Sequence, residues 1–293
     1  MIKEKFYIWL EKNRWYSKNT LKYYRRYLRM FDEYLIKKRS RSVETCEKIC
    51  LLDVEWFYRE RLKEWNCIKS FNLLLSVIKT YLRDCSIIGK KVMNESAIVR
   101  AKEPDNKIEC LLDDNSKKLI DYFKMMSLEW WIIDKRNYCI CWLLIYTGLR
   151  VSELANIKRS QIWNYMQIIW KGNRLRWVNL FEEDLEVIND YLKLRNDNYD
   201  NLFISLDRNY FWHKLSVSAI ENIIKYWWVK AWLSEKVRPH KLRHTFATNL
   251  MRSWVKIQYI QKLLGHKSIA TTEMYLTVLN TEVREAQKKM IRF

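Results

Sequence analysis

The sequence predicts a mainly α-helical protein with one small β-hairpin, arranged as two lobes that a short linker joins. Apolar residues recur at helical spacing through most of the chain. The segment 165–181 alternates instead with the period of two that is typical of a hairpin. Periodicity is lost around Pro104, so we place a linker at 101–107 between the lobes 1–100 and 108–293.

The N-terminal lobe is expected to contain only helices. Residues 2–14 form a short helix, Ser17 or Asn19 caps a second one, and further helical runs cover 52–66 and 69–84. The second helix has one apolar stripe, made of Leu21, Tyr24, Leu28, Phe31 and Leu35. Its other face is basic and carries Lys22, Arg25, Arg26 and Arg29. Such a face is often only solvated, but the charge of this chain favours phosphate binding.

The C-terminal lobe should combine helices with the hairpin. Asp113 or Asp114 begins a helix, and an apolar helix over Arg136–Thr147 ends at Gly148. The hairpin turns at Lys171-Gly172-Asn173, and the chain is helical again from residue 216. Asn280 or Thr281 caps a last helix, whose apolar stripe is formed by Val283, Ala286 and Met290. That stripe suits docking on a neighbouring protomer or packing against its own domain.

The charge of the chain indicates an acidic partner. The formal net charge is +20, of which +11 falls in residues 1–107 and +9 in the remainder. Because both lobes are basic, nucleic acid is the best candidate, and a membrane-surface protein is the alternative. The longest apolar run, Tyr138–Tyr146, is too short to cross a bilayer, and no signal-type segment follows Met1.

The seven cysteines give no sign of a metal centre. They include no Cys-x-x-Cys pair, and no histidine or cysteine partners stand at zinc-site spacing. Cys139 and Cys141 lie in an apolar helical run, where we expect small buried hydrophobes. We therefore expect a protein of the reducing cytoplasm without a structural metal.

The segment from Pro239 to Tyr275 collects the groups that phosphodiester chemistry needs. His240 and Arg243 are three residues apart and share a helix face, His266 follows the helix stop Gly265, and Tyr275 comes nine residues later. A guanidinium can neutralise the non-bridging oxygens, imidazoles can transfer protons, and a phenol can attack phosphorus.

These blocks resemble the tyrosine recombinase (phage integrase) family, especially its Xer-type enzymes. The resemblance rests on His-x-x-Arg at 240–243, Leu-Leu-Gly-His at 263–266 and Tyr275. Upstream, Thr147–Leu154 resembles the segment with the first catalytic arginine, and Lys171–Arg174 resembles the turn with the catalytic lysine. Four blocks in the family's order make the resemblance specific.

The resemblance implies a site-specific recombinase that cleaves and rejoins DNA through a 3′-phosphotyrosyl intermediate, without a cofactor. Arg150 and Arg243 would clamp the phosphate, Tyr275 would be the nucleophile, and Lys171 would protonate the 5′-oxygen. His240 would handle the tyrosine proton, and His266 would donate a hydrogen bond to the phosphate.

It also implies an N-terminal core-binding domain of the SAM-like type. Glu153 would orient the site, and Lys241 would join the basic helix face in binding DNA. His244 is expected to be structural, and His213 has no assigned role. The expected partners are double-stranded DNA and copies of the same chain, as a tetramer on paired sites, with C-terminal helix exchange between protomers.

Other functions stay open at this point. A type IB topoisomerase would share the chemistry, and an integrase-derived regulator would bind DNA without cutting it. Within recombinases, chromosome-dimer resolution and mobile-element integration or excision fit the sequence equally.

Glycine and tryptophan occur in unusual numbers. The chain has 4 Gly, where average usage would give about twenty, and 15 Trp. Trp232 and Trp254 each follow a predicted helix at a position that favours left-handed glycine, Trp170 stands in the predicted hairpin turn, and Trp15 separates two predicted helices. We hypothesise that the gene comes from an organism that reads UGA as glycine, and that its UGA codons are translated here as tryptophan at these four positions. A genuinely tryptophan-rich protein is the alternative.

Overall fold

The protein is described by a computed structural model. The structure describes residues 2–13, 16, 18–64, 68–102, 110–111, 113–128, 131–170, 174–206, 213–233, 237–266, 268–273 and 275–276. It divides the chain into two compact units, Met1–Asn106 and Lys107–Phe293. Most of the predicted linker and the predicted C-terminal helix lie outside the described residues, as does Ser17.

The first unit is helical throughout its described part. Its α-helices are α1 (Ile2–Asn13), α2 (Lys18–Arg39), α3 (Leu51–Glu64) and α4 (Ile68–Ile87), with short 3-10 turns at Val43–Lys48 and Glu95–Ala97. The predicted apolar stripe of α2 is confirmed, since all five of its residues are buried against α1, α3 and α4. The buried carboxylate of Asp32 on α2 accepts hydrogen bonds from Lys3 on α1, from Ser42 and from the Val43 amide, and so connects these segments.

The basic face of α2 is exposed. Lys22, Arg25, Arg26 and Arg29 all lie on the surface and line a groove of about 690 Å³ between α1 and α2. The guanidinium of Arg25 lies 5.1 Å from the ring centroid of Tyr7 across this groove. Periodicity predicted this exposed basic face, since the apolar stripe on the opposite side of α2 is buried.

The second unit packs helices around a central helix, with the hairpin on one side. Its elements are α5 (Asp113–Met126), α6 (Ile132–Tyr146), α7 (Val151–Leu154), a 3-10 turn (Arg159–Gln161), β1 (Tyr165–Trp170), β2 (Arg174–Asn179), α8 (Glu182–Leu192), α9 (Val217–Lys230), α10 (Pro239–Arg252), α11 (Ile257–Leu264) and α12 (Ala270–Glu273). Helix α6 packs against α5, α8, α9 and α10. Its residues Cys139 to Cys141 are fully buried, so both cysteines are core side chains, as expected.

The predicted hairpin is confirmed. Strands β1 and β2 are antiparallel, with Tyr165 opposite Asn179 and Trp170 opposite Arg174. Met166 and Val178 are buried on the inner face, whereas Tyr165 and Trp177 are half exposed on the outer face. The turn residues, Lys171 among them, lie outside the described residues.

Two of the four unusual tryptophans have left-handed backbone. Trp232 has φ +55° and Trp254 has φ +59°. Each ends its helix with the same pair of hydrogen bonds that ends α11 at Gly265, a Schellman motif. For Trp254 these are its own amide to the Met251 carbonyl and the Val255 amide to the Leu250 carbonyl.

The other two tryptophans differ from these. Trp170 was expected in a turn, but the pairing with Arg174 extends the strand by one residue, so Trp170 ends β1. Trp15 lies outside the described residues. The argument that a positive φ favours glycine therefore applies to Trp232 and Trp254.

Within the described ranges, none of the helices is both long and apolar enough to span a bilayer.

Candidate active site

Arg243 connects three segments of the second unit. It lies on α10, which begins at Pro239, a residue suited to the first helical turn. Its guanidinium donates hydrogen bonds to the carbonyl oxygens of Gly148 and Leu264, and only 3% of the residue is exposed. The loop after α6 and the end of α11 are thereby held against one face of α10.

Gly148 allows this close approach. It has φ +60°, and a Cβ placed there would come within 2.3 Å of the Phe246 ring on α10. The chain can thus turn sharply after α6 and present Arg150 at the start of α7.

A buried carboxylate, Glu153, gathers three arginines. Its oxygens accept from Arg150 Nη1 at 2.7 Å and from Arg176 Nη2 at 2.6 Å, and Arg243 Nη1 lies 3.9 Å away. Glu153 also accepts from the Arg150 amide at 2.8 Å. Burial disfavours its charge, but Arg176 and the hydrogen bonds from Arg150 outweigh this and lower its pKa. Glu153 thus lies against all three arginines, and its role in orienting the site stays a prediction.

Sequence reasoning missed Arg176. It lies on the inner face of β2, is 7% exposed, and also donates to the Leu263 carbonyl beside Gly265. Its inward position could have been predicted from the sequence, because the alternation of the hairpin puts residue 176 on the same face as Val178. A charged residue at an inward position requires a buried partner, and Glu153 provides it.

The site holds more positive than negative charge. Burial and the charges of Arg150 and Arg176 lower the pKa of Arg243 to about 9, which leaves it a cation at neutral pH. Burial and the same arginine cluster lower the pKa of His266 to about 4, and the pKa of His240 is also lowered, by partial burial and then by Arg243. An anion entering the site would relieve this repulsion.

Tyr275 lies at this cluster, with 1% of the residue exposed. Its hydroxyl is 2.9 Å from Nδ1 of His244, and its ring centroid is 6.4 Å from that of His266. Burial raises the pKa of the phenol, against the opposing charges of Arg243 and Arg150. His244, expected to be structural, is therefore the imidazole that contacts the phenol.

His266 is positioned by the end of α11. Gly265, with φ +62°, turns the chain so that the His266 amide bonds back to the Gln261 carbonyl. Nδ1 of His266 lies 2.9 Å from Oγ1 of the buried Thr272. The ring is thus fixed next to Tyr275.

The other site predictions have different outcomes. Lys171 lies outside the described residues, and His213 is exposed and distant in sequence from the cluster. Lys241 is only 7% exposed, unlike the basic face of α2, and its contact with DNA stays a prediction.

A metal site is absent from the described part of the chain, in which no three His, Cys, Asp or Glu side chains form a group that could hold an ion.

Comparison with known proteins places both units in one class of enzymes. Residues 110–282 match the Phage integrase family, and residues 4–84 match the N-terminal SAM-like domain of phage integrases. The chain is 31% identical over 278 residues to tyrosine recombinase XerA of Pyrococcus horikoshii, covering 93% of this chain and 88% of that protein. Tyrosine recombinase XerC of Actinobacillus succinogenes is 28% identical over 287 residues, covering 93% and 90%.

Solved structures share the fold. The crystal structure of XerA recombinase matches with 27% identity and a TM-score of 0.53, over 99% of this chain and 98% of that one. XerH bound to a palindromic difH substrate matches with 20% identity and a TM-score of 0.73, over 92% and 79%. A lambda integrase tetramer bound to a Holliday junction matches with 17% identity and a TM-score of 0.73, over 94% and 76%.

Proposed function

This chain belongs to the phage integrase family of tyrosine recombinases, and we propose that it cuts and rejoins duplex DNA at specific sites through a 3′-phosphotyrosyl intermediate. The observation that carries the proposal is the convergence of a phenol, imidazoles and a carboxylate-ordered set of arginines in one buried cluster. Each of these groups has a role in phosphoryl transfer, and the excess positive charge suits an anionic substrate.

In the proposed reaction the hydroxyl oxygen of Tyr275 attacks the scissile phosphorus. Arg150 and Arg243 bind the non-bridging oxygens, whose charge increases in the transition state. His266 donates a hydrogen bond to the same phosphate. Because Glu153 pairs with both clamp arginines before the phosphate enters, little reorganisation is needed when it binds.

The leaving 5′-oxygen needs a proton, and we assign this role to Lys171. The assignment comes from the sequence, since Lys171 is outside the described residues. The phosphotyrosyl ester retains the energy of the broken bond, so the 5′-hydroxyl can reverse the attack and rejoin the strand without ATP. No metal or organic cofactor has a role in these steps.

The DNA-binding surface that we propose includes the basic face of α2. Lys22, Arg25, Arg26 and Arg29 are exposed on one side of the first unit, where phosphates can reach them. We propose that the first unit is a core-binding domain (1–100), that the second is the catalytic domain (108–293), and that four protomers assemble on paired sites in the cytoplasm. The lambda integrase tetramer on a Holliday junction, which shares this fold, supports the four-protomer assembly.

The function is tested by mapping covalent adducts. The protein is incubated with fragmented DNA from its own genome, and protein-linked 3′ ends are sequenced. We expect adducts at discrete positions, with Tyr275→Phe binding the same DNA but forming none. In a parallel assay on a supercoiled plasmid, relaxation without preferred positions would indicate a topoisomerase. Binding without adducts would indicate a regulator. The mapped position distinguishes a chromosomal site from the end of a mobile element.

A further inference from the structure

The phenol of Tyr275 has a specific partner. Among the described residues, the hydrogen bond that the structure gives to its hydroxyl is the one to Nδ1 of His244, at 2.9 Å. The two rings are tilted by 57°, with centroids 5.5 Å apart. With Tyr275 almost fully buried, this contact sets where the phenol oxygen lies.

His244 is also held where the phosphate should bind. It follows Arg243 directly on α10, and the hydrogen bonds of Arg243 to Gly148 and Leu264 fix that part of the helix. His240 lies one turn earlier, with its ring centroid 6.2 Å from that of His244. In the described part of the chain, no hydrogen bond joins His240 to Tyr275.

We propose that His244, rather than His240, accepts the phenolic proton of Tyr275 when the tyrosine attacks the phosphodiester. This inference rests on the proposed function. The Oη–P bond forms and the P–O5′ bond breaks, while the phenolic proton moves to Nδ1 of His244. The 5′-oxygen leaves as a hydroxyl with a proton from the general acid, and religation returns both protons.

The charge states of the free protein agree with this role. Burial, then the charges of His240 and Arg243, lower the pKa of His244 to about 4, so its imidazole is neutral at neutral pH. The phenol is neutral as well, because burial raises its pKa. Nδ1 can therefore accept the hydrogen bond, with the ring proton on Nε2.

Binding of a phosphodiester makes the transfer easier. Among the described residues, the groups that face His244 are His240 and Arg243 on its own helix, and Tyr275 and His266 from the segment after α11. None of them is an anion at neutral pH, so the phosphate would be the negative charge next to the imidazole and would favour its protonated form. Bond formation to phosphorus acidifies the phenol at the same time.

The test compares variants of the two histidines. His244→Asn places an amide near the position of Nδ1, which can hold the phenol but cannot take its proton, and His244→Phe fills the space without a hydrogen bond. Adduct formation is timed between pH 6 and 10 on a nicked duplex that spans the mapped cleavage position. His240→Asn is measured in parallel, and thermal melting of each variant reports folding.

We expect both His244 variants to be about 10²–10⁴-fold slower than the unchanged protein at pH 7. Their rates should rise about tenfold per pH unit, because a phenol that ionises unaided needs no proton acceptor. His240→Asn should show no such slope. If His244→Phe does not fold, His244→Asn carries the same test.

Three results would overturn the inference while the proposed function stands. They are normal cleavage by His244→Asn, a deficit of the His244 variants that does not change with pH, and a pH slope in His240→Asn instead. Absence of adducts with the unchanged protein would instead refute the proposed function itself.

Discussion

Replacing Trp232 and Trp254 by glycine should stabilise the second unit. Both residues are held at positive φ, and both are 93% exposed, so the indoles bury almost no apolar surface that would be lost. Left-handed backbone costs an L-residue roughly 1–2 kcal/mol, and glycine avoids that cost. Glycine adds chain entropy to the unfolded state, which offsets about 0.5–1 kcal/mol per site.

At the midpoints of these two ranges the net gain is about 0.75 kcal/mol per site, or about 1.5 kcal/mol for the double variant if two separate helix ends add. For a unit of this size that corresponds to a rise in Tm of about 3–6 °C, since 1 kcal/mol shifts Tm by roughly 2–4 °C. Differential scanning calorimetry of the full chain would measure this rise in Tm, either on the transition of the second unit or on a single merged transition.

Matched controls separate backbone strain from loss of the indole. Trp232→Ala and Trp254→Ala remove the ring but keep a Cβ, so they should give no comparable gain. Trp163 is 69% exposed but does not have a positive φ, and Trp163→Gly should not stabilise. If the alanine variants match the glycine variants, the strain argument is wrong. Peptide mass spectrometry of the natural protein tests the codon hypothesis directly, and tryptophan at 232 and 254 would refute it.

Four further predictions follow from the site and the C-terminus. Arg243→Lys keeps a charge but loses the planar guanidinium, so cleavage should fall about 10²–10³-fold while DNA affinity, measured by gel shift, changes little. Near-normal cleavage would refute the proposed contact of Arg243 with the phosphate. Glu153→Gln leaves Arg176 buried without its carboxylate and should cost about 3–5 kcal/mol in denaturant unfolding, whereas Asp190→Asn at the exposed Lys193 pair should cost under about 1 kcal/mol. Because the pKa of His266 is about 4 when folded and about 6.5 when unfolded, the unfolded state binds its proton first, so stability should fall from pH 6.5 to 4. His266→Gln should reduce that slope in denaturant unfolding, and His244, whose folded pKa is also about 4, should account for part of the rest. Deleting residues 281–293 should leave single-site binding intact and abolish cooperative binding and strand exchange; normal recombination by the truncated chain would refute helix exchange.

Local rules predicted much of this molecule. The stripe of α2 and the alternation of the hairpin follow from periodicity, and the left-handed helix ends at Trp232 and Trp254 follow from cap chemistry. His240 and Arg243 were placed on one face by their spacing. The same spacing rule puts His244, four residues after His240, on that face, so its contact with Tyr275 was within reach of the sequence.

Other features depend on long-range packing and were not predictable. The hydrogen bond from Arg243 to the Gly148 carbonyl joins residues 95 positions apart and depends on how Phe246 packs over Gly148. The hydrogen bond from the Leu111 amide to Thr245 on α10 likewise joins residues that are distant in sequence. Helix periodicity gives the direction of a side chain but not the segment that covers it.

Arg243 has both a proposed catalytic role and a structural role, and this predicts which residues an inactive descendant of this enzyme would keep. Its guanidinium satisfies the Gly148 and Leu264 carbonyls inside the fold, so a lineage that abandoned strand cleavage would still lose stability by discarding it. Tyr275 differs, because phenylalanine can replace it with the loss of one hydroxyl contact. In a pseudoenzyme of this type we expect Arg243 to be retained because the fold needs it, and Tyr275 to be substituted first.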